Sequence, residues 1–226
     1  MRALSSAYVE RRESALADHQ ALDGAGKRAA FAMYYGPIHF LLVQHIVREL
    51  GAAPDRGTVL DLGCGTGVAG AAIATLATPP PKVMGIDTHP WTLDEARFTY
   101  QAFGLTSDVR RGHASRTRLP ADTSLVVAAF VVNELKEADR AALLREFIRL
   151  AASAKASAPK KVDTTRILIV EPISHRVSPW WPEWVAATGG RADEWKARID
   201  VPPLVKKLAK AAGLRPEVLT ARSLLV

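Results

Sequence analysis

The order of hydrophobic and polar residues divides the chain into a helical stretch followed by a longer stretch of alternating strands and helices. Residues 1–54 are predicted to be helical, ending in a helix that starts at Pro37 and places Ile38, Leu42 and Ile46 on one apolar stripe. From Thr58 onward, short runs of β-forming residues alternate with helical segments. This alternation predicts an α/β fold with a doubly wound, mostly parallel sheet, helices on both faces and an N-terminal helical extension.

Six strands are predicted in the alternating region. They are Thr58–Leu62, Lys82–Asp87, Ser107–Arg111, Ser124–Val131, Arg166–Glu171 and Pro216–Ala221. Two segments are predicted to be irregular: 153–165 as a surface loop, and 174–200 as a cap over a pocket, because it follows the carboxyl end of a strand. We expect one domain over 1–226, with 1–54 as a helical lid and 55–226 as the core, because two halves would each be near the lower size limit for a stable core.

Composition excludes some classes of protein and leaves others open. The chain is 48% hydrophobic and 23% charged, which is typical of a globular domain rather than a disordered or membrane-inserted one. The single cysteine, Cys64, excludes an internal disulfide and any metal site that needs several thiolates, so no metal is expected. Charged residues near the N-terminus interrupt any secretory signal, which predicts a cytoplasmic protein. The net charge of +7 is spread along the chain, which keeps nucleic acid possible as a partner.

The most informative run is Val59-Leu60-Asp61-Leu62-Gly63-Cys64-Gly65-Thr66-Gly67, a buried strand that ends in an acid and turns through glycines into a helix. Glycines permit positive φ and close approach of backbone amides to a ligand, and the following helix contributes its positive end. A nucleotide-like ligand is therefore predicted at this turn.

Two ligands compete for this turn. Gly65, Gly67 and Gly70 also satisfy the dinucleotide pattern G-x-G-x-x-G, with Asp87 about twenty residues on. A dinucleotide, however, would bring its pyrophosphate close to the Asp61 carboxylate, which repels it. S-adenosylmethionine carries an ammonium and a sulfonium instead, so Asp61 favours this cofactor. A glycine turn without a ligand is the remaining interpretation.

Over about 58–171 the chain resembles the class I S-adenosylmethionine-dependent methyltransferases, whose first motif has this acid-G-x-G-x-G form on a Rossmann-like sheet. The resemblance implies methyl transfer, with the methionine part of the cofactor against Asp61, Gly63, Cys64, Gly65 and Gly67. It also implies that Asp87 and the adjacent Thr88 hold the ribose, and that His113, Ala114 and Phe130 lie beside the cofactor. His113 stands where the family usually has an acid, and an exposed loop histidine is the other interpretation.

Candidate acceptor-binding residues follow the fourth and fifth strands. Asn133 can orient a polar group and Glu134 can take a proton, although both residue types also suit the start of a helix. Glu171 ends the fifth strand and His175 follows it, so either side chain is a candidate for the pocket. His175 and Glu134 are both candidates for a general base, and a surface position is the alternative for His175.

Aromatic residues supply the remaining candidates. Tyr34, Tyr35 and His39 flank the start of the Pro37 helix and could form a lid over the cofactor, with His39 a third possible base. Trp180, Trp181 and Trp184 could shape an aromatic acceptor site, or anchor an irregular segment to the core.

The sequence therefore predicts a methyltransferase that uses S-adenosylmethionine and acts on a small molecule. An RNA- or ribosome-associated methyltransferase and a non-catalytic binder of the same fold are the alternatives. Binding to a membrane is not expected.

Overall fold

A single mixed sheet organises the protein in the computed structural model, which describes residues 24–156, 165–214 and 217–226. Within these ranges the strand order is β3-β2-β1-β4-β5-β7-β6. Neighbouring strands are parallel except at β7, which is antiparallel to both β5 and β6. The strands are β1 (Thr58–Leu62), β2 (Lys82–Asp87), β3 (Ser107–Arg111), β4 (Thr123–Ala129), β5 (Arg166–Glu171), β6 (Arg191–Arg198) and β7 (Val218–Leu225).

Helices cover both faces of the sheet. They are α1 (Ala25–Ala30), a π-helical segment (Phe31–Tyr35), α2 (Gly36–Leu50), α3 (Val68–Ala74), α4 (Pro90–Ala102), α5 (Glu137–Ala156), α6 (Trp181–Thr188) and α7 (Pro203–Ala212), with short 3-10 turns at Ala114–Arg116 and Val132–Glu134. On one face α2, α3 and α7 share a core with Val59 and Val127 of the strands. On the other, α5 and α6 pack on Leu60 and Val126. Successive residues of each central strand thus point into opposite layers, as expected for strands covered on both faces.

The predicted fold class is confirmed, and the bounds of β1, β2, β3 and β5 are those predicted from the sequence. The fourth strand ends earlier than predicted, at Ala129, because Phe130 has a φ of 60° and leaves the extended conformation. The last strand is Val218–Leu225 rather than Pro216–Ala221.

The prediction that 174–200 is irregular is wrong, because this segment contains α6 and β6. Pro182 lies in the first turn of α6, and Gly189 ends the helix with a φ of 62°. The strand β6 pairs with β7 along its whole length, from Arg191 opposite Leu225 to Arg198 opposite Val218.

The N-terminal helical prediction is supported from residue 25 onward, where α1, the π-helical segment and α2 follow one another directly. Residues 1–23 and, of the predicted loop 153–165, residues 157–164 lie outside the described residues. Residues 153–156 belong to α5 and not to a loop. Within the described part, one stretch, Ala25–Leu50, is long and apolar enough to cross a membrane by length and composition alone. Its Leu42, Val43, Ile46 and Val47 are buried against the sheet, and core helices pass the same test. The single-domain organisation stays a prediction.

Candidate active site

A deep cleft lies at the carboxyl ends of the central strands, where the strand order reverses between β1 and β4. Open α/β sheets bind ligands at this switch point, because the loops on either side of it diverge and leave a crevice. The cleft has a volume of about 1020 Å³. Its walls come from the loop after β1, the ends of β2 to β5, and the π-helical segment, which contributes Phe31 and Tyr35.

The glycine loop after β1 is held in a conformation that only glycine adopts easily. Gly63, Gly65 and Gly67 have φ values of 63°, 52° and 77°. A Cβ on Gly63 would lie 2.1 Å from the Cγ2 atom of Val131, so this position has no room for a side chain. Cys64 is buried between the glycines, and its amide donates to the Ile86 carbonyl at 2.9 Å, which ties the loop to β2.

Asp61 places a buried carboxylate beneath this loop. Its Oδ2 accepts hydrogen bonds from the Gly70 amide at 2.8 Å and from the Tyr100 hydroxyl at 3.2 Å. Its Oδ1 is buried and has no hydrogen-bond partner, although Asp61 lines the cleft. Desolvation by this burial raises the pKa of Asp61 to about 7. An unpaired buried oxygen beside a cleft is a place where a ligand cation would restore the lost interaction.

Asp87 stands at the end of β2 on the neighbouring wall. Its Oδ2 accepts from the Gly65 amide at 2.9 Å and its Oδ1 from the His89 amide at 2.9 Å. Each carboxylate oxygen can accept more than one hydrogen bond, so these two amides orient the group without exhausting its capacity. Thr88, the residue next to it, lines the cleft as well.

Beyond β3, His113 and Ala114 line the cleft where the sequence predicts them. The Nδ1 atom of His113 lies 2.9 Å from the Ser115 hydroxyl, and its Nε2 lies 3.7 Å from Oδ2 of Asp139. Asp139, which comes from α5 and also lines the cleft, was not predicted. Asp139 thus brings an acid next to His113 from a different element.

The wall after β4 carries Phe130 in a left-handed backbone conformation, with a φ of 60°. Its ring stacks on His39 of α2, with ring centroids 4.0 Å apart and an angle of 20° between the planes. Burial lowers the pKa of His39 to about 4, so the imidazole is neutral at physiological pH. Both residues line the cleft, and neither adds a positive charge to it.

Asn133 belongs to the same wall and does not cap a helix, because α5 begins only at Glu137. Its backbone amide donates to Glu171 Oε1 at 3.2 Å, and its Nδ2 donates to Glu171 Oε2. Its Oδ1 accepts from the indole N–H of Trp180 at 2.9 Å. Glu134 is exposed at the edge of the cleft, and Glu171 lies fully buried in its wall.

Four predicted contacts lie elsewhere in the structure. Tyr34 is buried in the α2 core layer, and of the tyrosine pair only Tyr35 lines the cleft. Trp180 and Trp181 are buried in the α5–α6 layer and do not line the cleft. His175 is exposed beside a separate cavity of about 440 Å³, because the loop after β5 turns its side chain away. The aromatic acceptor site predicted from the tryptophans is therefore corrected to a supporting layer behind the cleft wall.

For Glu171 the sequence predicts only that its side chain could face the pocket. Its signal is its position, since an acid that ends a parallel strand lies at the same edge of the sheet as Asp61 and Asp87. No such position in the sequence identifies Asp139, because it lies in a helix and reaches the cleft only through the packing of that helix. Among the described residues, no group of three or more His, Cys, Asp or Glu side chains is placed to hold a metal ion.

The residues of this cleft fit S-adenosylmethionine. The cofactor is cationic at two atoms, and the Asp61 carboxylate has a buried oxygen without a partner. The backbone of the loop lines the cleft at Gly63 and Gly65, both with positive φ, and Asp87 is a hydrogen-bond acceptor for hydroxyl groups. The Asp61 carboxylate does not fit the pyrophosphate of a dinucleotide.

The comparisons with known proteins agree with this assignment. Residues 59–153 match the family model of a methyltransferase domain. No curated protein matches the sequence.

Among solved structures, a candidate RNA methyltransferase from Pyrococcus horikoshii has a TM-score of 0.53 at 17% identity, with 82% of each chain covered. A SAM-dependent methyltransferase from Aquifex aeolicus has a TM-score of 0.52 at 16% identity, with 93% of this chain and 96% of that chain covered. Magnesium protoporphyrin IX methyltransferase from Synechocystis, solved with bound SAM, has a TM-score of 0.50 at 15% identity, with 83% and 78% covered.

At these identities the solved structures show a shared fold, and the match to the family model adds the methyltransferase domain itself. Together with the sheet order and the acid-glycine loop, these findings support the class I S-adenosylmethionine-dependent methyltransferase superfamily, with the methyltransferase domain matched over residues 59–153.

Proposed function

We propose that the protein methylates a small molecule that binds beside S-adenosylmethionine in the cleft. The observation that carries the proposal is the buried, unpartnered Oδ1 of Asp61 under the glycine loop, which a cationic cofactor satisfies and an anionic one does not. When bound, S-adenosylmethionine supplies a methyl group on a positively charged sulfur.

Each part of the cofactor has its own set of residues in this proposal. Asp61 attracts the cationic methionine part, which lies along the loop Gly63, Cys64, Gly65 and Gly67. Asp87 and Thr88 bind the ribose, and His113 and Ala114 lie beside the adenine. All of these residues line the cleft or belong to its glycine loop.

The acceptor end of the cleft is formed by Tyr35, His39, Phe130, Asn133 and Glu134. Holding donor and acceptor in line supplies most of the acceleration in such a transfer, so these residues act mainly by orienting the acceptor and excluding water. If the acceptor must lose a proton, Glu134 is the ionisable group of this set that reaches the open edge of the cleft. His39, with its pKa lowered to about 4, is a weak base.

A small acceptor is supported by the shape of the cleft. Ligand pockets for drug-sized molecules are usually about 300–1,000 Å³. The cleft, at about 1020 Å³, has room for the cofactor and a second small ligand. Phe31 and Tyr35 of the π-helical segment close it on one side. We also propose the cytoplasm as the location, on the sequence argument alone.

An RNA acceptor is the second candidate, because exposed cationic side chains stand at the rim of the cleft: Arg111, Arg116 and Lys136. Methyltransferases of this fold include proteins named for RNA and for porphyrin substrates, so the fold does not choose between these acceptors.

Replacement of Asp61 and Asp87 tests the cofactor site. Asp61→Asn and Asp87→Ala should each weaken S-adenosylmethionine binding by about tenfold or more, because each loses a charged hydrogen bond. Isothermal titration calorimetry measures the affinity. Asp108→Asn is the matched control, since Asp108 pairs with Arg110 outside the cleft lining and should leave the affinity unchanged. Wild-type affinity in both cleft variants would refute the assignment.

A further inference from the structure

A hydrogen-bonded chain of three buried side chains stands behind the acceptor end of the cleft. Trp180, Asn133 and Glu171 are 7%, 8% and 0% exposed. They come from three separate elements, the start of α6, the turn after β4 and the end of β5. We call them the Asn133 clamp. Only Asn133 and Glu171 line the cleft, while Trp180 reaches it through Asn133.

The clamp fixes which way the Asn133 amide points. The indole of Trp180 can only donate, so its partner at 2.9 Å must be the amide oxygen. The Glu171 carboxylate accepts from both the backbone amide and Nδ2 of Asn133, so the NH₂ group must lie on its side. If the Asn133 amide were flipped, its NH₂ group would face the indole N–H of Trp180 and its oxygen would face the Glu171 carboxylate. Two buried hydrogen bonds would then be lost.

The cationic side chain of Arg222 lies on the strand next to Glu171. In the pairing of β5 with β7 Glu171 stands opposite Arg222, whose guanidinium donates to the Pro172 and Ile173 carbonyls at 3.0 and 2.6 Å. The pKa of Arg222 is lowered by burial and raised by the carboxylates of Glu194 and Glu171. Glu171 thus hydrogen-bonds with Asn133 and stands opposite a cationic side chain in the sheet.

The polarity of this wall favours one kind of acceptor group. An amide whose NH₂ donates to a carboxylate gains electron density on its oxygen, because hydrogen bonds in a chain polarise one another. The buried and half-buried residues of this wall that line the cleft, among them His39, Phe130 and Pro172, include no Lys or Arg, and His39 is neutral. The lining cations Arg111, Arg116 and Lys136 are exposed at the rim. Inside the wall an anionic oxygen therefore has no cationic partner, whereas a group that donates N–H has acceptors.

We propose that Glu171 and Trp180 are positioning residues, which hold the Asn133 amide so that the acceptor end of the cleft selects an amine rather than an anionic oxygen nucleophile. This inference rests on the proposed function, because it assumes that the cofactor binds in the same cleft.

The test compares two cofactor analogues by calorimetry. S-adenosylhomocysteine is uncharged at sulfur, and sinefungin carries a protonated amine in the place of the methyl group, so their affinity ratio reports on the acceptor wall. The wild-type protein should bind sinefungin more tightly. Trp180→Phe should reduce this preference about three- to tenfold by releasing the amide, and Glu171→Gln should reduce it about tenfold or more, with little change for S-adenosylhomocysteine.

Trp184→Phe is the matched control. Trp184 packs on Trp180 and Phe147 in the same buried layer and has no hydrogen bond to Asn133, so the same substitution there should leave the ratio within about twofold. Retained affinity for S-adenosylhomocysteine shows that a variant has folded.

The outcomes separate the two proposals. If Trp180→Phe and Glu171→Gln leave the ratio of sinefungin to S-adenosylhomocysteine affinity unchanged, the clamp is overturned and the cofactor site is not. The same conclusion follows if Trp184→Phe lowers this ratio as much as Trp180→Phe does. A wild-type protein that binds neither analogue overturns the cofactor site, and the clamp with it.

Discussion

Asp61 shows how much of a site can be predicted at the level of one residue. The acid and the glycines after it are local in sequence, so the ligand class could be predicted from their charge and conformational freedom alone. The hydroxyl of Tyr100, 39 positions away, and the unpartnered Oδ1 could not, because both depend on how α4 packs against β1. The charge of Asp61 could thus be predicted from the sequence, whereas its desolvation could be seen only in the folded structure.

This desolvation makes cofactor binding depend on pH. Asp61 has a pKa of about 7 in the free protein, raised by burial, and a cationic ligand requires its ionised form. Binding should therefore release a proton below about pH 7, and affinity should rise with pH there, by up to about tenfold per unit, before levelling above it. His39, with a pKa of about 4, does not titrate in this range.

Calorimetry in two buffers of different ionisation enthalpy measures the proton released, at pH 6 and at pH 8. The variant Asp61→Asn should show weak binding with a flat pH profile. A wild-type profile that is equally flat would mean that Asp61 is already ionised before the cofactor arrives.

Among the elements, most of the strands that could be predicted have a strong local pattern. Buried central strands such as β1 and β5 are rich in apolar residues and matched their predicted bounds, and β3 did so as well, although its sequence SDVRR is mostly polar. The strand β6 was missed because its sequence, RADEWKAR, is mostly charged and β-forming residues are few. Its conformation comes from pairing with β7 at the edge of the sheet, which is a contact between distant parts of the chain.

A pair of substitutions tests β6 as a strand. Ala197 is buried at 6% exposure and its neighbour Lys196 is exposed, as alternation in a strand requires. Ala197→Asp should lower the free energy of unfolding by about 3 kcal/mol, because it buries an unpaired charge, whereas Lys196→Asp should change it by less than about 0.5 kcal/mol. Urea denaturation measures both, and equal effects would contradict the strand.

At the scale of the whole molecule, the cleft combines groups that are far apart in sequence. Asp61 and Asp87 could be placed together from the sequence, since parallel strands end at one edge of a sheet. The contributions of α5 and of the π-helical segment could not, because no local pattern predicts the direction in which a helix crosses the sheet. Trp180 was predicted near the site for its ring, and its described contact there is a single hydrogen bond to Asn133.

The charge of the whole molecule gives a test of the RNA alternative. If the acceptor is small, reversing the rim cations Arg111, Arg116 and Lys136 should weaken RNA binding no more than reversing three exposed cations elsewhere: Lys82, Lys207 and Lys210. Fluorescence anisotropy with a labelled RNA over about 50–200 mM salt measures the affinity and its salt dependence. A selective loss in the rim variant would favour an RNA substrate.

The hydrogen bond from the Gly65 amide to Asp87 joins the first crossover loop to the second strand. This hydrogen bond fixes the two walls of the cleft relative to each other, so the groove for the cofactor is preformed. Ordering of the backbone on binding is therefore small at this end, and we expect whatever rearrangement accompanies turnover to occur on the opposite side, where the acceptor arrives.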